Sequence, residues 1–262
     1  MQNNEPMKNF SYLLVFVMAL VSCSDQYTIQ GTSSVTVVDG KVFDGSKLYL
    51  KVLKDTDFTV YDSCEVVHGQ FKFAGLLDTT YMAMLFMGDQ PVMPLVVEKG
   101  DISVCIDDMQ RKVSGSPLND RLYEFLEKQA QMDNRKADLQ RRYPQMLLEG
   151  IDEQTIDAQL TAEAEAIMQQ EDSLVTDFVT TNFDNVMAPY VMAVMTTSLP
   201  QIEHIMSQAP DAFKTNPFVS KFYQAVAGGE EPQGVPAGPA DADNPDGYDD
   251  AAIQDILNGR SQ

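Results

Sequence analysis

The three cysteines are the residues of this chain best able to do covalent chemistry. They are Cys23, Cys64 and Cys105, and a cysteine thiolate can take an acyl group, form a disulfide or bind a soft metal. No two of them form a Cys-x-x-Cys motif, the spacing typical of dithiol exchange. The chemistry of each cysteine therefore depends on the segment that surrounds it.

Other residue types give no catalytic constellation. His68 and His204 are the only histidines, and the VVHGQF context of His68 predicts a turn residue. Asp62 and Ser63 are adjacent, but without a positioned base they are interpreted as a polar pair on a strand. The sequence contains no Gly-rich phosphate loop, HExxH or GxSxG motif. We therefore expect a protein without enzymatic activity, cofactor or metal site.

Methionines are the remaining candidate ligands, because thioether sulfur binds copper. The chain has 15 of them, and Met82, Met84, Met87 and Met93 are closely spaced. All four stand in apolar segments, where methionine commonly fills irregular gaps. They are predicted to pack in the core.

The segment before Cys23 predicts export. Lys8 precedes an apolar run from Tyr12 to Val21, and Met7 is a second candidate start. This pattern is typical of a secretory signal peptide over residues 1–22. Its last residues, Leu-Val-Ser-Cys, resemble the lipobox of bacterial lipoproteins, which implies cleavage between Ser22 and Cys23 and lipidation of Cys23. The alternative is a plain signal peptide in which the cysteine occurs by chance.

The residues after Cys23 and the overall charge indicate where the mature chain resides. Ser24 at this position resembles lipoproteins sent to the outer membrane, which implies a body facing the periplasm. Ser24-Asp25 also partly resembles an acidic tag for surface display, which is the alternative. Asp and Glu number 39 against 18 Lys and Arg, giving a net charge of -21, so a nucleic-acid partner is not expected. No run of 18 apolar residues occurs, so the expected membrane contact is the N-terminal lipid anchor.

The first part of the mature chain is predicted to be β structure. Six segments alternate with period two or carry β-branched clusters, and turn signals such as Asp44-Gly45 and His68-Gly69 separate them. The segments are 47–53, 58–67, 70–74, 81–87, 93–98 and 101–107. Short strands at this spacing predict an antiparallel sandwich or small open barrel.

The second part is predicted to be helical. Ser116 suits the N-cap position and Pro117 the first helical position, and the apolar spacing that follows is expected to end at Pro144. A second helix has one apolar stripe, so the two predict an amphipathic hairpin, although either stripe could instead pack on the β domain or on a partner. The stripe comprises Ile156, Leu160, Ala164, Ile167, Leu174 and Phe178. Shorter helices are expected near 186–195, 201–206 and 217–226.

The C-terminal segment, residues 228–262, is rich in Gly, Pro, Ala and acidic residues. Such a composition predicts disorder, because too little apolar surface is available to offset the ordering entropy. A short amphipathic helix containing Ile253, Ile256 and Leu257 is expected near its end. It is either a partner-docking peptide or a frayed terminus.

Five short stretches, read together, resemble the module known as domain of unknown function 4369. They are YTIQG, GSKLYLK, YDSCEVVHGQFKFAG, VVEKGDISVCID and VSGSPLNDRLYEF. The resemblance covers about residues 26–130, and the helical region resembles the usual continuation of the module. The expected fold class is α+β, with a signal peptide over 1–22, a β domain over 23–113, a helical region over 114–227 and a tail over 228–262.

In many relatives this module precedes a thioredoxin-like domain of the TlpA/ResA type, which performs thiol-disulfide exchange. This chain lacks the Cys-x-x-Cys motif, so that activity is not carried over. Three interpretations of Cys64 and Cys105 remain open: a disulfide, two unpaired thiols or a redox-active pair. Strand alternation favours unpaired thiols, because Cys64 shares a face with Val60 and Val66 whereas Cys105 lies opposite its apolar neighbours.

The preferred functional hypothesis is a non-enzymatic, lipid-anchored envelope protein that docks another envelope component. The alternatives are an accessory of periplasmic thiol-disulfide exchange and a ligand-binding or glycan-binding module.

Overall fold

The strands and helices follow the predicted order, with β structure first and helices second. The computed structural model describes residues 25–34, 37–38, 41–42, 44–54, 57–107 and 110–229. The strands are β1 (Gln26–Ser33), β2 (Val37–Val38), β3 (Lys41–Val42), β4 (Lys47–Lys54), β5 (Asp57–Glu65), β6 (Gln70–Leu76), β7 (Tyr81–Met87), β8 (Gln90–Val97), β9 (Gly100–Ile106) and β10 (Arg111–Ser114). The helices are α1 (Pro117–Leu148), α2 (Glu153–Thr180), α3 (Met187–Met195), α4 (Leu199–Gln208), α5 (Asp211–Lys214) and α6 (Pro217–Ala227).

Two four-stranded sheets form a sandwich, which confirms the α+β class. The first sheet has the order β10-β9-β1-β6 and the second has the order β5-β4-β7-β8, while β2 and β3 form a separate pair. One pairing differs from the antiparallel expectation, since β1 runs parallel to β9. The N-terminal strand therefore lies inside the first sheet, between β6 and β9.

The core of the sandwich comes from alternating apolar residues on the inner faces. Ile102, Val104 and Ile106 of β9 are buried, as are Leu48 and Leu50 of β4. Most of β7 and β8 is buried on both faces. The same apolar cluster continues into the helices, because it includes buried residues of α1, α2, α3, α4, α5 and α6. The sandwich and the adjoining helices therefore share one core.

The start of α1 is attached to the edge of the second sheet by polar contacts. Ser116 occupies the N-cap position and Pro117 follows it, as predicted, but the Ser116 side chain makes no capping bond. Glu98 Oε1 instead accepts hydrogen bonds from the backbone N–H groups of Leu118 (2.9 Å) and Asn119 (3.3 Å). A carboxylate from the end of β8 thus caps the helix.

Asn119 is the buried polar residue that completes this junction. Its Oδ1 accepts from the backbone N–H of Val96 (2.8 Å), and its Nδ2 donates to the Val96 carbonyl (2.7 Å) and to Ser116 Oγ (2.8 Å). Strand β8 is an edge strand, whose outward backbone groups would otherwise need another partner. The amide of Asn119 provides that partner.

The prediction that α1 ends at Pro144 is wrong, since the helix continues to Leu148. Proline removes one hydrogen-bond donor and clashes with the preceding turn. Only one further turn follows here; Met146 on that turn is buried in an apolar cluster between α1 and α2, and Tyr143, just before the proline, packs against it. Packing therefore outweighs the local penalty.

Helices α1 and α2 form the predicted amphipathic hairpin. The stripe expected on α2 is confirmed, with Leu174 half-buried and its other members buried. Beyond Leu126 in α1 and before Leu174 in α2, the buried apolar residues form a second cluster, separate from the main core. This distal cluster comprises Leu139, Met146, Ile156, Leu160, Ala164 and Ile167. Lys136 and Glu171 form an ion pair of 2.7 Å across the hairpin.

Candidate functional site

A groove of about 1260 Å³ lies across the outer face of the first sheet. The strand register builds it. Lys112, Cys105, Thr32 and Gln70 form one row of facing residues across all four strands. Ser114, Ser103, Gln30 and Lys72 form the neighbouring row. The face is therefore lined by amides, hydroxyls, a thiol and two ammonium groups.

Cys105 occupies the outward position that strand alternation predicts. Ile102, Val104 and Ile106 point into the core, and the half-buried Cys105 lines the groove. Its Sγ lies 3.8 Å from Asp107 Oδ2 and donates a weak hydrogen bond to it. The face assignment from the sequence is confirmed for this cysteine.

Cys64 lies at the edge of the groove, where β5 approaches β6. Burial raises the pKa of its thiol to about 11, although a hydrogen bond from the backbone N–H of Lys72 acts in the opposite direction. At neutral pH the side chain is therefore a thiol, which is a poor nucleophile. Cys64 and Cys105 are both free, so this structure has two unpaired thiols beside one groove.

The prediction that Cys64 shares a face with Val60 and Val66 is correct for Val66 and wrong for Val60. Cys64 pairs with Leu48, whereas Val60 pairs with Lys51, and the register skips Tyr61. This β-bulge inserts one extra residue, so Val60 is exposed on the opposite face while Val66 is buried. Alternation in a sequence cannot show a bulge, because an inserted residue leaves no compositional mark.

The histidines occupy the structural positions expected of ordinary polar residues. His68 has a positive φ of 52° and Gly69 follows with a φ of 69°, which gives a tight turn between β5 and β6 and confirms the turn prediction. His204 is exposed on α4, with its Nε2 3.0 Å from Gln208 Nε2. Among the described residues, no group of three His, Cys, Asp or Glu side chains is placed to hold a metal ion.

Asp62 and Ser63 lie within β5, as predicted for a polar strand pair. Asp62 Oδ1 accepts from the backbone N–H of Ser63 (2.7 Å), and its Oδ2 accepts a long hydrogen bond from Tyr27 Oη (3.5 Å). Burial, together with the Asp62 charge, raises the pKa of Tyr27 to about 12. Burial likewise raises the pKa of Tyr81, whose ring centroid is 4.9 Å from that of Tyr61.

The four methionines pack as predicted. Met84, Met87 and Met93 are buried, and Met82 is half-buried against the main cluster. Their thioethers thus contribute to the core of the sandwich.

Several N-terminal and C-terminal predictions concern residues outside the described part of the chain. These are the signal peptide over 1–22, the Ser22-Cys23 cleavage site, the lipidation of Cys23 and the C-terminal helix containing Ile253. Of the tail, only residues 228 and 229 are described. No helix within the described residues is both long and apolar enough to cross a bilayer.

The groove is the feature that sequence reasoning does not find. Its lining comes mainly from five strands, β1, β5, β6, β9 and β10, and from the turn at His68, which are separated along the chain. The sequence signal that is available for the groove is the set of polar residues at alternate positions of each strand, such as Ser103 and Cys105. Which polar residues become neighbours depends on strand order, and the parallel pairing of β1 with β9 cannot be deduced from composition.

Comparison with known proteins agrees with the resemblance of the first part of the chain. A comparison with curated proteins gives no match. Residues 27–122 match the family model of a domain of unknown function, DUF4369. The matched segment runs from β1 into the first turns of α1 and includes Asn119. Residues 27–122 of this chain are therefore a DUF4369 domain.

Proposed function

We propose that this protein is a non-enzymatic lipoprotein of the bacterial envelope, palmitoylated at Cys23, that docks another envelope component. The outer membrane, with the body facing the periplasm, is the proposed location. The lipobox-like sequence that ends at Cys23 supports the anchor. The position of β1 agrees with it, because this strand begins at Gln26, three residues after Cys23.

The distal half of the α1–α2 hairpin is the observation that carries the docking role. Beyond Leu126, α1 continues for 22 residues to Leu148, which corresponds to roughly 33 Å of helix. The apolar residues buried along this stretch pack in the distal cluster between the two helices. The hairpin thus forms an arm stabilised mainly by its own small core.

The tip of this arm presents apolar surface. Leu148 is 90 % exposed and the adjacent Leu147 is also exposed. Neighbouring leucines at the end of a helical arm suit insertion into an apolar pocket of a partner protein. Exposed leucines are common on protein surfaces, so it is their position at the tip that supports docking.

Three groups with the potential for catalysis have structural roles, which supports a function without enzymatic activity. Cys64 is a half-buried thiol with a raised pKa, Asp62 accepts hydrogen bonds within the sandwich, and His68 forms a turn. None of these arrangements supplies the nucleophile and base contact that covalent catalysis requires.

The anchor is tested by metabolic labelling with a clickable palmitate and by intact mass. Labelled protein whose mass begins at an acylated Cys23 is the expected result, and the Cys23→Ala variant should carry no label. Unlabelled protein, or a mass that still includes residues before Cys23, would contradict the anchor.

The docking role is tested with a photo-reactive amino acid placed at the arm. The label replaces Leu148 in one variant and the exposed Lys221 of α6 in a matched control. Irradiation of native membranes should give one discrete cross-linked species from position 148 and none from position 221. Recovery of an uncrosslinked monomer from both variants, together with a lone monomer in mild detergent, would argue against docking.

A second candidate function is ligand binding in the groove of the first sheet, favoured by its amide, hydroxyl and ammonium lining. Such groups suit a polar ligand such as a glycan. Calorimetric titration with envelope polysaccharides should then release or absorb heat, and Gln30→Ala should weaken the response. Absence of heat with every polysaccharide would reject this candidate.

The thiol-exchange alternative is supported only by the location of Cys64 and Cys105 beside the same groove. Thiol trapping followed by mass spectrometry tests this alternative, because it reports the oxidation states of both cysteines. A role in redox exchange requires that at least one of the two cysteines changes its oxidation state with the redox conditions of growth.

A further inference from the structure

The N-terminal end of the sandwich is fixed very close to the proposed anchor. The backbone N–H of Leu77 donates to the Asp25 carbonyl (2.7 Å), and the Asp25 carboxylate forms an ion pair with Lys99. Only Ser24 separates Asp25 from Cys23, and two extended residues span about 7 Å. An acylated Cys23 would therefore hold this end of the first sheet beside the lipid.

This end also carries an exposed apolar and aromatic patch. Leu76, the last residue of β6, is 70 % exposed, and Tyr61 of β5 is 48 % exposed. Leu76 pairs with Gln26, the first residue of β1. The Oη of Tyr61 donates to the carbonyl of Leu76 (3.4 Å), so the two residues form one patch.

The β-bulge gives Tyr61 its position. Tyr61 is the residue that the register between β4 and β5 skips, and a bulge redirects the side chain of the inserted residue. Its ring contacts Tyr81, with centroids 4.9 Å apart, while its hydroxyl bonds Leu76. The bulge thus places a partly exposed aromatic ring beside the exposed leucine at the end nearest Cys23.

We infer that this patch, formed by Tyr61 and Leu76, contacts the lipid surface at headgroup depth, an inference that rests on the proposed lipidation of Cys23. Tyrosine is enriched where membrane meets water, because its ring is apolar and its hydroxyl is polar. Asp78 and Asp101 are exposed nearby, which limits the contact to the interface and keeps the patch out of the hydrocarbon.

The chain contains no tryptophan, so a single introduced tryptophan reports its own surroundings. Leu76→Trp places the probe in the patch. Val67→Trp is the matched control, because Val67 is 56 % exposed and lies just before the opposite end of β6. The six residue steps of β6 separate these ends by about 20 Å. Both full-length proteins are purified from membranes in lipidated form and placed in vesicles of brominated phosphatidylcholine.

In vesicle-bound protein, bromine should quench roughly half of the emission of the probe at position 76 and little of that at position 67, because only position 76 lies at the interface. If Leu76→Trp fails to fold, Tyr61→Trp reports on the same patch and should show the same difference. The inference would be overturned, and the anchor left intact, by equal quenching of the probes at positions 76 and 67. Absence of quenching at both positions, in protein that floats with the vesicles, would have the same meaning.

Two further outcomes would also overturn the inference. A blue-shifted probe at position 76 that bromine does not quench would place the patch against a protein surface. Protein that neither floats with vesicles nor carries acyl mass would refute the anchor itself, and the inference with it. Flotation and intact mass therefore separate failure of the proposed function from failure of the membrane contact.

Discussion

Asn119 shows how one buried amide attaches the helical region to the sandwich. Asn119→Ala removes the partners of the Val96 N–H and carbonyl groups in a fully buried site. Leaving buried polar groups unsatisfied should lower the free energy of unfolding by about 2–4 kcal/mol. Urea denaturation followed by circular dichroism measures the change.

Asn134→Ala, on the exposed face of the same helix, is the control. It should change the free energy of unfolding by less than about 0.5 kcal/mol. Equal stabilities of the two variants would mean that Asn119 is not needed to satisfy the edge of β8.

Cys64 gives a prediction about reactivity. Its pKa rises from an ordinary value of 9.0 to about 11 through burial, so at pH 8 the folded protein has about 100-fold less thiolate at this position than the unfolded chain. Alkylation of Cys64 by iodoacetamide should therefore be about 100-fold slower in native protein than in urea. Peptide mass spectrometry over time measures both rates, and equal rates would contradict the raised pKa of the half-buried Cys64 thiol.

At the level of elements, the hairpin should contain two regions of different stability. Leu160→Ala removes a fully buried side chain from the distal cluster, a change that typically costs about 2–5 kcal/mol. Because this cluster is separate from the main core, we expect faster hydrogen exchange for amides between residues 139 and 167, with protection in the sandwich retained.

Leu85→Ala provides the comparison, since Leu85 is buried in the main core. It should accelerate exchange in the sandwich and in the adjoining helices together. If Leu160→Ala accelerates exchange in the sandwich as strongly as in the arm, the hairpin and sandwich unfold as one cooperative unit.

Regular elements are the part of the fold that the sequence can predict. Six strands and the stripe of α2 follow from period-two and helical spacing, because burial on one face imposes that spacing on the chain. The helix end expected at Pro144 is wrong, since packing of Tyr143 and Met146 decides whether the helix continues. The bulge at Tyr61 and the groove depend on strand register, which is set by contacts between distant residues.

At the scale of the whole molecule, charge should affect stability. The net charge of -21 favours expansion of the chain by self-repulsion, and added salt screens charges separated by more than about 10 Å at 0.1 M. Raising NaCl from ~20 mM to ~300 mM should therefore raise the Tm of the folded protein by a few degrees.

Thermal unfolding at constant pH, followed by circular dichroism, tests this expectation. Sodium sulfate is not a suitable replacement for NaCl, because sulfate also strengthens apolar burial. A Tm that falls with NaCl would mean that short-range ion pairs, such as Lys136 with Glu171, outweigh the repulsion between acidic groups.

Under the proposed tether at Cys23, the interior position of β1 would have a mechanical consequence. A pulling force that enters at Gln26 acts along β1, which is hydrogen-bonded to β6 on one side and to β9 on the other. Detaching this strand requires both ladders to shear together, whereas a strand at the border of a sheet could be peeled from one neighbour. Force applied through the tether would thus be distributed over the backbone hydrogen bonds of both ladders.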